Sequence, residues 1–348
     1  MPNKHIIFLV HGMGDFKDLT WSKSAQDTLA NLYAAYKPIN AVPFDQLFEF
    51  QPVLYNDEFE ALRTMWSNSA ASLGTAIAGS GISSQVVSDL DSIAGATKKS
   101  TFINTHVLDV LLYRFARQTA APVRETVRNQ IFSRLNQLSA TEPRNWSIIA
   151  HSLGTAVVHD ALHEAYSEAP NADRGNLAGI TRPTLLAMIA NVGRVLETDA
   201  DVYESRVRPG NPNDPDAACR YYLNAVHKWD PFPQPKAFRP ALQWPSIGVR
   251  QLKPPLFLDI QISEIEQLNV HDFNHYLRNP LIHCPIFNCL LDQIALDPDP
   301  IEAAHAQFAA HTPLAQFGNF VSQLKPFQLG EEDVWKDILA SWSQFLKL

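Results

Sequence analysis

The sequence predicts an α/β protein: a doubly wound, mostly parallel central sheet with helices on both faces. Three observations predict it. Short aliphatic, β-branched runs such as His5 to Val10 (HIIFLV) and Trp146 to Ala150 (WSIIA) read as fully buried strands. Strand-like runs alternate with segments of helical periodicity along most of the chain. The 348 residues are 46% hydrophobic and 18% charged, enough for a large core and too apolar for a disordered chain.

His5 to Val10 is followed by Gly12 and Gly14, which suit a tight turn at the end of a strand. Trp21, Ala25, Leu29, Leu32 and Tyr36 then recur at spacings of three and four, predicting a helix packed by one face, and Asn40 to Tyr55 reads as extended. Trp66 to Lys99 is dominated by Gly, Ser and Ala, and Asp89 and Asp91 are its only charges before Lys98. A candidate insertion at about 57–103 therefore reads either as a helical cap over a site or as an irregular surface segment.

Helical periodicity returns at His106 to Arg117. It resumes after Pro122 with Val123, Val127, Ile131, Leu135 and Leu138 on one stripe, Pro122 fitting the first turn, where its missing N–H costs nothing. Trp146 to Ala150 leads through His151-Ser152-Leu153-Gly154 into the helical pattern TAVVHDALHEAY. Leu185 to Val192, Tyr221 to Val226 and Leu256 to Ile262 are three further strands. Residues 1–297 thus form the main domain, and 298–348, with IEAAHAQFAA and EEDVWKDILASWSQFLKL, a helical extension packed on it.

Composition excludes some functions. With 28 Lys and Arg against 36 Asp and Glu, the net charge of −8 leaves no basic stripe for nucleic acid. Three scattered cysteines (Cys219, Cys284, Cys289) make neither a disulfide framework nor a CxxC zinc site, which fits a reducing compartment. The N-terminus lacks the long apolar region of a signal peptide, and the uncharged stretch Thr64 to Ser88 is too rich in Ser, Gly, Thr and Asn for a transmembrane segment. The expectation is a soluble, cytoplasmic chain.

The strongest chemical signal is Ala150-His151-Ser152-Leu153-Gly154 between a buried strand and a helix. A nucleophile on so sharp a turn needs small residues two positions to either side, and Ala150 and Gly154 supply them. The alternative is a serine that merely caps the helix. Leu153 N–H, at the helix start, would face a developing oxyanion. His11-Gly12-Met13-Gly14 is the second signal: two glycines let the backbone approach a ligand, and Met13 (or Gly14) N–H could be the second oxyanion donor. It matches neither GxGxxG nor the phosphate loop.

From about His5 to Asn279 these motifs resemble the α/β-hydrolase superfamily, within it the lipase-like serine esterases that carry an HGxG loop and an HSLG elbow; Ala150 departs from the common GxSxG. The helix around Asp109 to Tyr113 is similar too. The resemblance implies an α/β-hydrolase fold, a Ser-acid-His order, no cofactor and a small-molecule or lipid ester as substrate, and it leaves room for transient contact with a membrane surface. The acid then follows the second strand after the elbow, where Asp230 sits before Pro231; Asp199 and Asp201 are fallbacks. The histidine follows the last strand: His271 is preferred because it precedes a helix start at Asp272, with His275 the alternative. Trp66, Phe102, Phe273 and Tyr276 would suit an acyl chain, though such residues commonly serve the core.

His159/His163 and His271/His275 have i, i+4 metal-like spacing, but Asp follows each first histidine where a zincin has Glu, so no metal is expected. Thioester or amide cleavage and acyl transfer use the same triad, and a non-catalytic interaction module of this fold is the remaining alternative.

Overall fold

The computed structural model describes residues 4–12, 18–36, 42–61, 113, 120–138, 145–168, 182–197, 201–211, 214, 217–240, 244, 256–265, 269–291, 302, 304, 306 and 308. Six strands, β1 (His5–Val10), β2 (Phe48–Val53), β3 (Trp146–His151), β4 (Leu185–Ile189), β5 (Tyr221–His227) and β6 (Phe257–Ile262), form one sheet in the order β2-β1-β3-β4-β5-β6. Every pairing is parallel. The expected mostly parallel sheet is, among the described residues, wholly so. β1, β3, β4 and β5 are buried along their whole length, which is why they read as mostly apolar runs rather than alternating ones.

Helices α1 (Thr20–Ala35), α2 (Phe44–Leu47), α3 (Ala121–Asn136), α4 (Leu153–Glu168), α5 (Phe273–Arg278) and α6 (Pro280–Leu291) flank the sheet. The chain moves one way from β1 to β2 and the other way from β2 to β3 and beyond. Right-handed crossovers therefore put α1 on one face and α3 and α4 on the other. The packing agrees: α3 lies on α4, whereas α5 lies on α1, and α6 lies on α5 and on β4, β5 and β6. Arg124 of α3 pairs with Glu164 of α4 at 2.5 Å.

Local chemistry accounts for the helix ends. The Asp18 carboxylate accepts from Thr20 N–H at 3.1 Å and from its hydroxyl at 2.5 Å, so the first turn of α1 is capped from outside. Pro122 sits in the first turn of α3, and Val123, Val127, Ile131 and Leu135 are buried on its inner stripe. Asp272 caps α5 by accepting from His275 N–H at 3.0 Å.

Some expectations need correction. Asn40 to Tyr55 is not extended throughout: Phe44–Leu47 forms a helical turn after Pro43, because Phe44 packs on Tyr33 and Phe48 at ring distances of 5.4 and 5.0 Å. The buried stripe of α1 is Ser22, Ala25, Leu29 and Tyr33, while Trp21 and Leu32 are only partly buried. β5 runs one residue further, through His227. Of the candidate cap at about 57–103, only residues 57–61 are described, and Trp66, Phe102 and nearly all of 298–348 lie outside the described residues. Among the described residues, no helix is long and apolar enough to cross a membrane.

Candidate active site

In an open parallel sheet, ligands bind beyond the carboxyl ends of the strands, where neighbouring strands send their connections in opposite directions. Here that switch lies between β1 and β3. Their register pairs Val10 with Ala150, so the turn after β1 meets the turn after β3. A Cβ placed on Gly12 would lie 2.7 Å from Ser152 Cβ, and one on Gly154 would lie 2.2 Å from the His11 carbonyl oxygen. Gly154 is thus required by close approach of backbone to backbone, and Gly12 by the Ser152 Cβ and the His151 ring packed against it. Gly154→Ala is expected to cost about 3 kcal/mol of stability through forced overpacking; a lowered urea midpoint would report it, and an unchanged one would show that the two turns can separate freely.

Ser152 sits at φ 53°, in the left-handed region that a non-glycine residue enters at a cost. Surrounding bonds hold it there. Its N–H donates to Ile189 O at 2.9 Å, and its carbonyl accepts from Thr155 N–H and Oγ1 at 2.9 and 2.6 Å. Leu153 is the first residue of a 16-residue helix, and the first N–H groups of a helix have no acceptor within it. Leu153, the expected donor, thus begins that helix directly after Ser152. Met13 and Gly14 lie outside the described residues, so the turn after β1 is described only through Gly12. That turn is braced: the Tyr55 hydroxyl lies 2.5 Å from His11 O and 3.2 Å from Gly12 O, and the His11 ring stacks on Tyr55 at 4.0 Å.

The remaining candidates converge. Ser152 Oγ donates to His271 Nε2 at 2.8 Å, and His271 Nδ1–H donates to Asp230 Oδ2 at 2.7 Å, partners that set the ring tautomer. Asp230 is fully buried and follows β5, while His271 follows β6 and keeps 13% of its side chain exposed. Burial alone would raise the Asp230 carboxyl, but the His271 imidazole, the Tyr276 hydroxyl (2.7 Å) and Phe232 N–H (3.0 Å) outweigh it and hold the group below the usual carboxylate range. The Phe232 ring lies 4.2 Å from that of His271.

The alternatives lie elsewhere. His275 is fully buried on α5, its ring 5.5 Å from that of His227. Asp201 accepts from Tyr203 N–H at 2.8 Å, and Asp199 lies outside the described residues. The i, i+4 spacing of His271 and His275 is not helical, since α5 begins only at Phe273. His159 and His163 stack at 6.2 Å on α4, and both His159 nitrogens are engaged, by Asp160 at 3.1 Å and Ser205 at 2.8 Å. Among the described residues, no group of three or more His, Cys, Asp or Glu is placed to share a metal ion.

Two residues escaped the sequence reading. His151 donates from Nε2 to the His271 carbonyl at 2.7 Å and stacks on Phe273 at 5.1 Å, linking the elbow to the loop that carries the imidazole. Tyr276, expected to suit an acyl chain, is instead fully buried against Asp230. Neither has a local signal, because each acts through a partner 46 or more residues away. Comparison with protein-family models, curated proteins and solved structures finds no match for this chain. The geometry therefore carries the functional argument.

Burial shifts several histidines in one direction. It lowers His5 and His11 to about 4, and His275 to about 4, while burial together with the neighbouring His271 lowers His151 to about 3. The unfolded chain binds these protons near pH 6.5 and the folded chain does not, so their contribution to stability is full above about 6.5 and is lost as pH falls towards about 4. The thermal midpoint is expected to fall steadily from pH 7 to pH 5. A flat profile would mean these rings find proton acceptors on charging.

Proposed function

We propose that this protein is a serine hydrolase with an α/β-hydrolase fold that cleaves carboxylic esters through an acyl-enzyme. One observation carries the proposal: an unbroken hydrogen-bonded line from Asp230 through His271 to Ser152, whose serine is held at positive φ beside a helix N-terminus. Further support comes from the order of these residues after β3, β5 and β6 and from the glycine turn against the elbow.

In this mechanism Ser152 Oγ attacks the acyl carbon as its proton passes to His271 Nε2. Asp230 holds the ring with Nε2 towards the serine and stabilises the imidazolium. His271 then protonates the departing alkoxide. A water, deprotonated by the same nitrogen, attacks the acyl-enzyme, and Ser152 recovers its proton when the acid leaves. Leu153 N–H, with Met13 N–H as the second donor, would hold the oxyanion, each contributing about 3 kcal/mol in the transition state. Because Ser152 is fully buried, a substrate must displace whatever covers it. The three cysteines are buried free thiols, which favours a reducing, cytoplasmic setting.

A fluorophosphonate probe followed by peptide mapping tests the proposal. Covalent label on the peptide holding Ser152 is the expected result; its absence would favour a non-catalytic module. A series of acyl esters, thioesters and amides then defines the bond and the chain length.

A further inference from the structure

Resting on the hydrolase reading, we propose that Tyr276 is a positioning residue that sets how strongly Asp230 pulls on the His271 proton. Its hydroxyl donates to Asp230 Oδ2 at 2.7 Å, the same oxygen that receives His271 Nδ1–H at 2.7 Å. The same hydroxyl accepts from His227 N–H at 2.9 Å, so its single proton is committed to the carboxylate. Phe232 N–H holds the other oxygen at 3.0 Å. The carboxylate plane is thereby pinned from three sides, in a fully buried site where hydrogen bonds are electrostatically strong.

A donor on Oδ2 withdraws charge from the oxygen that stabilises the imidazolium. Tyr276 therefore tempers the stabilisation that Asp230 gives the imidazolium formed when His271 takes the Ser152 proton. The titratable groups packed near the pair are four histidines, with the carboxylates of Asp272 beside His271 and Glu264 beside His227. Burial lowers His11 after β1 and His275 on α5 to about 4 and His151 at the end of β3 to about 3, and it lowers His227 on β5 as well.

The test is the second-order rate of fluorophosphonate labelling of Ser152 from pH 5.5 to 9, in the wild type and in Tyr276→Phe. Phenylalanine fills the same space and removes only the hydroxyl. The midpoint of the acidic limb is expected to move upward by about half a pH unit, the direction in which a less neutralised carboxylate holds the imidazolium. A loss of folded protein would lower the saturating fraction labelled without moving that midpoint. Should Tyr276→Phe not fold, 3-fluorotyrosine installed at position 276, a stronger donor, is expected to move the midpoint downward. Labelling with an unmoved or oppositely moved midpoint overturns the role given to Tyr276 and leaves the hydrolase reading standing. No labelling of wild-type Ser152 at any pH overturns both.

Discussion

Ser152→Ala is expected to lower turnover of a short-chain acyl ester by ~10³-fold or more while leaving the protein folded. Among the described residues the side-chain oxygen makes its hydrogen bond to His271 alone, and the backbone bonds that hold the left-handed turn, to Ile189 O and from Thr155, do not involve it. Alanine introduces no new atom beside Gly12. The structural cost is one lost hydrogen bond, about 1 kcal/mol, whereas the chemical cost is the whole covalent pathway. Residual activity would come from oxyanion donors acting on direct attack by water. A loss of only a few-fold, with the thermal midpoint unchanged, would point to another nucleophile.

His271→Ala and His275→Leu should separate the two histidines completely. Removing His271 takes away the only imidazole within hydrogen-bonding distance of Ser152 Oγ among the described residues, and leaves Asp230 with a buried charge facing a gap. Turnover should fall about as far as in Ser152→Ala, and the double variant should be no worse than either single one, because residues that act as a unit do not add. His275→Leu removes a fully buried imidazole that does not touch Asp230 or Ser152 in the hydrogen-bonded line. It should leave turnover nearly intact and weaken the acid sensitivity, since an apolar side chain replaces a group that burial holds near 4. Comparable mild losses in both variants would refute the assignment of the base.

The positions of the candidate residues in the sequence explain what was legible. The elbow is a local object: a buried strand, a serine with small residues at two positions either side, and a helical pattern beginning at once. Asp230 could be chosen because it leaves the second strand after the elbow, and His271 because it leaves the last one. The short helical turn at Phe44–Leu47 was missed because its ring contacts with Tyr33 and Phe48 outweigh the extended preference of its neighbours.

By itself the sequence determined the alternation of strands and helices, the two glycine-dependent turns and the three residue types that leave the strands in order, because periodicity, backbone permissiveness and turn chemistry act over a few residues. Only the tertiary structure decided that the six described strands all run parallel, that His271 rather than His275 reaches Ser152, and that Tyr276 and His151 bond to the groups around the pair. Those outcomes depend on which side chains meet across β3, β5 and α5, over separations of 46 to 120 residues. No short stretch of chain contains both partners of such a contact.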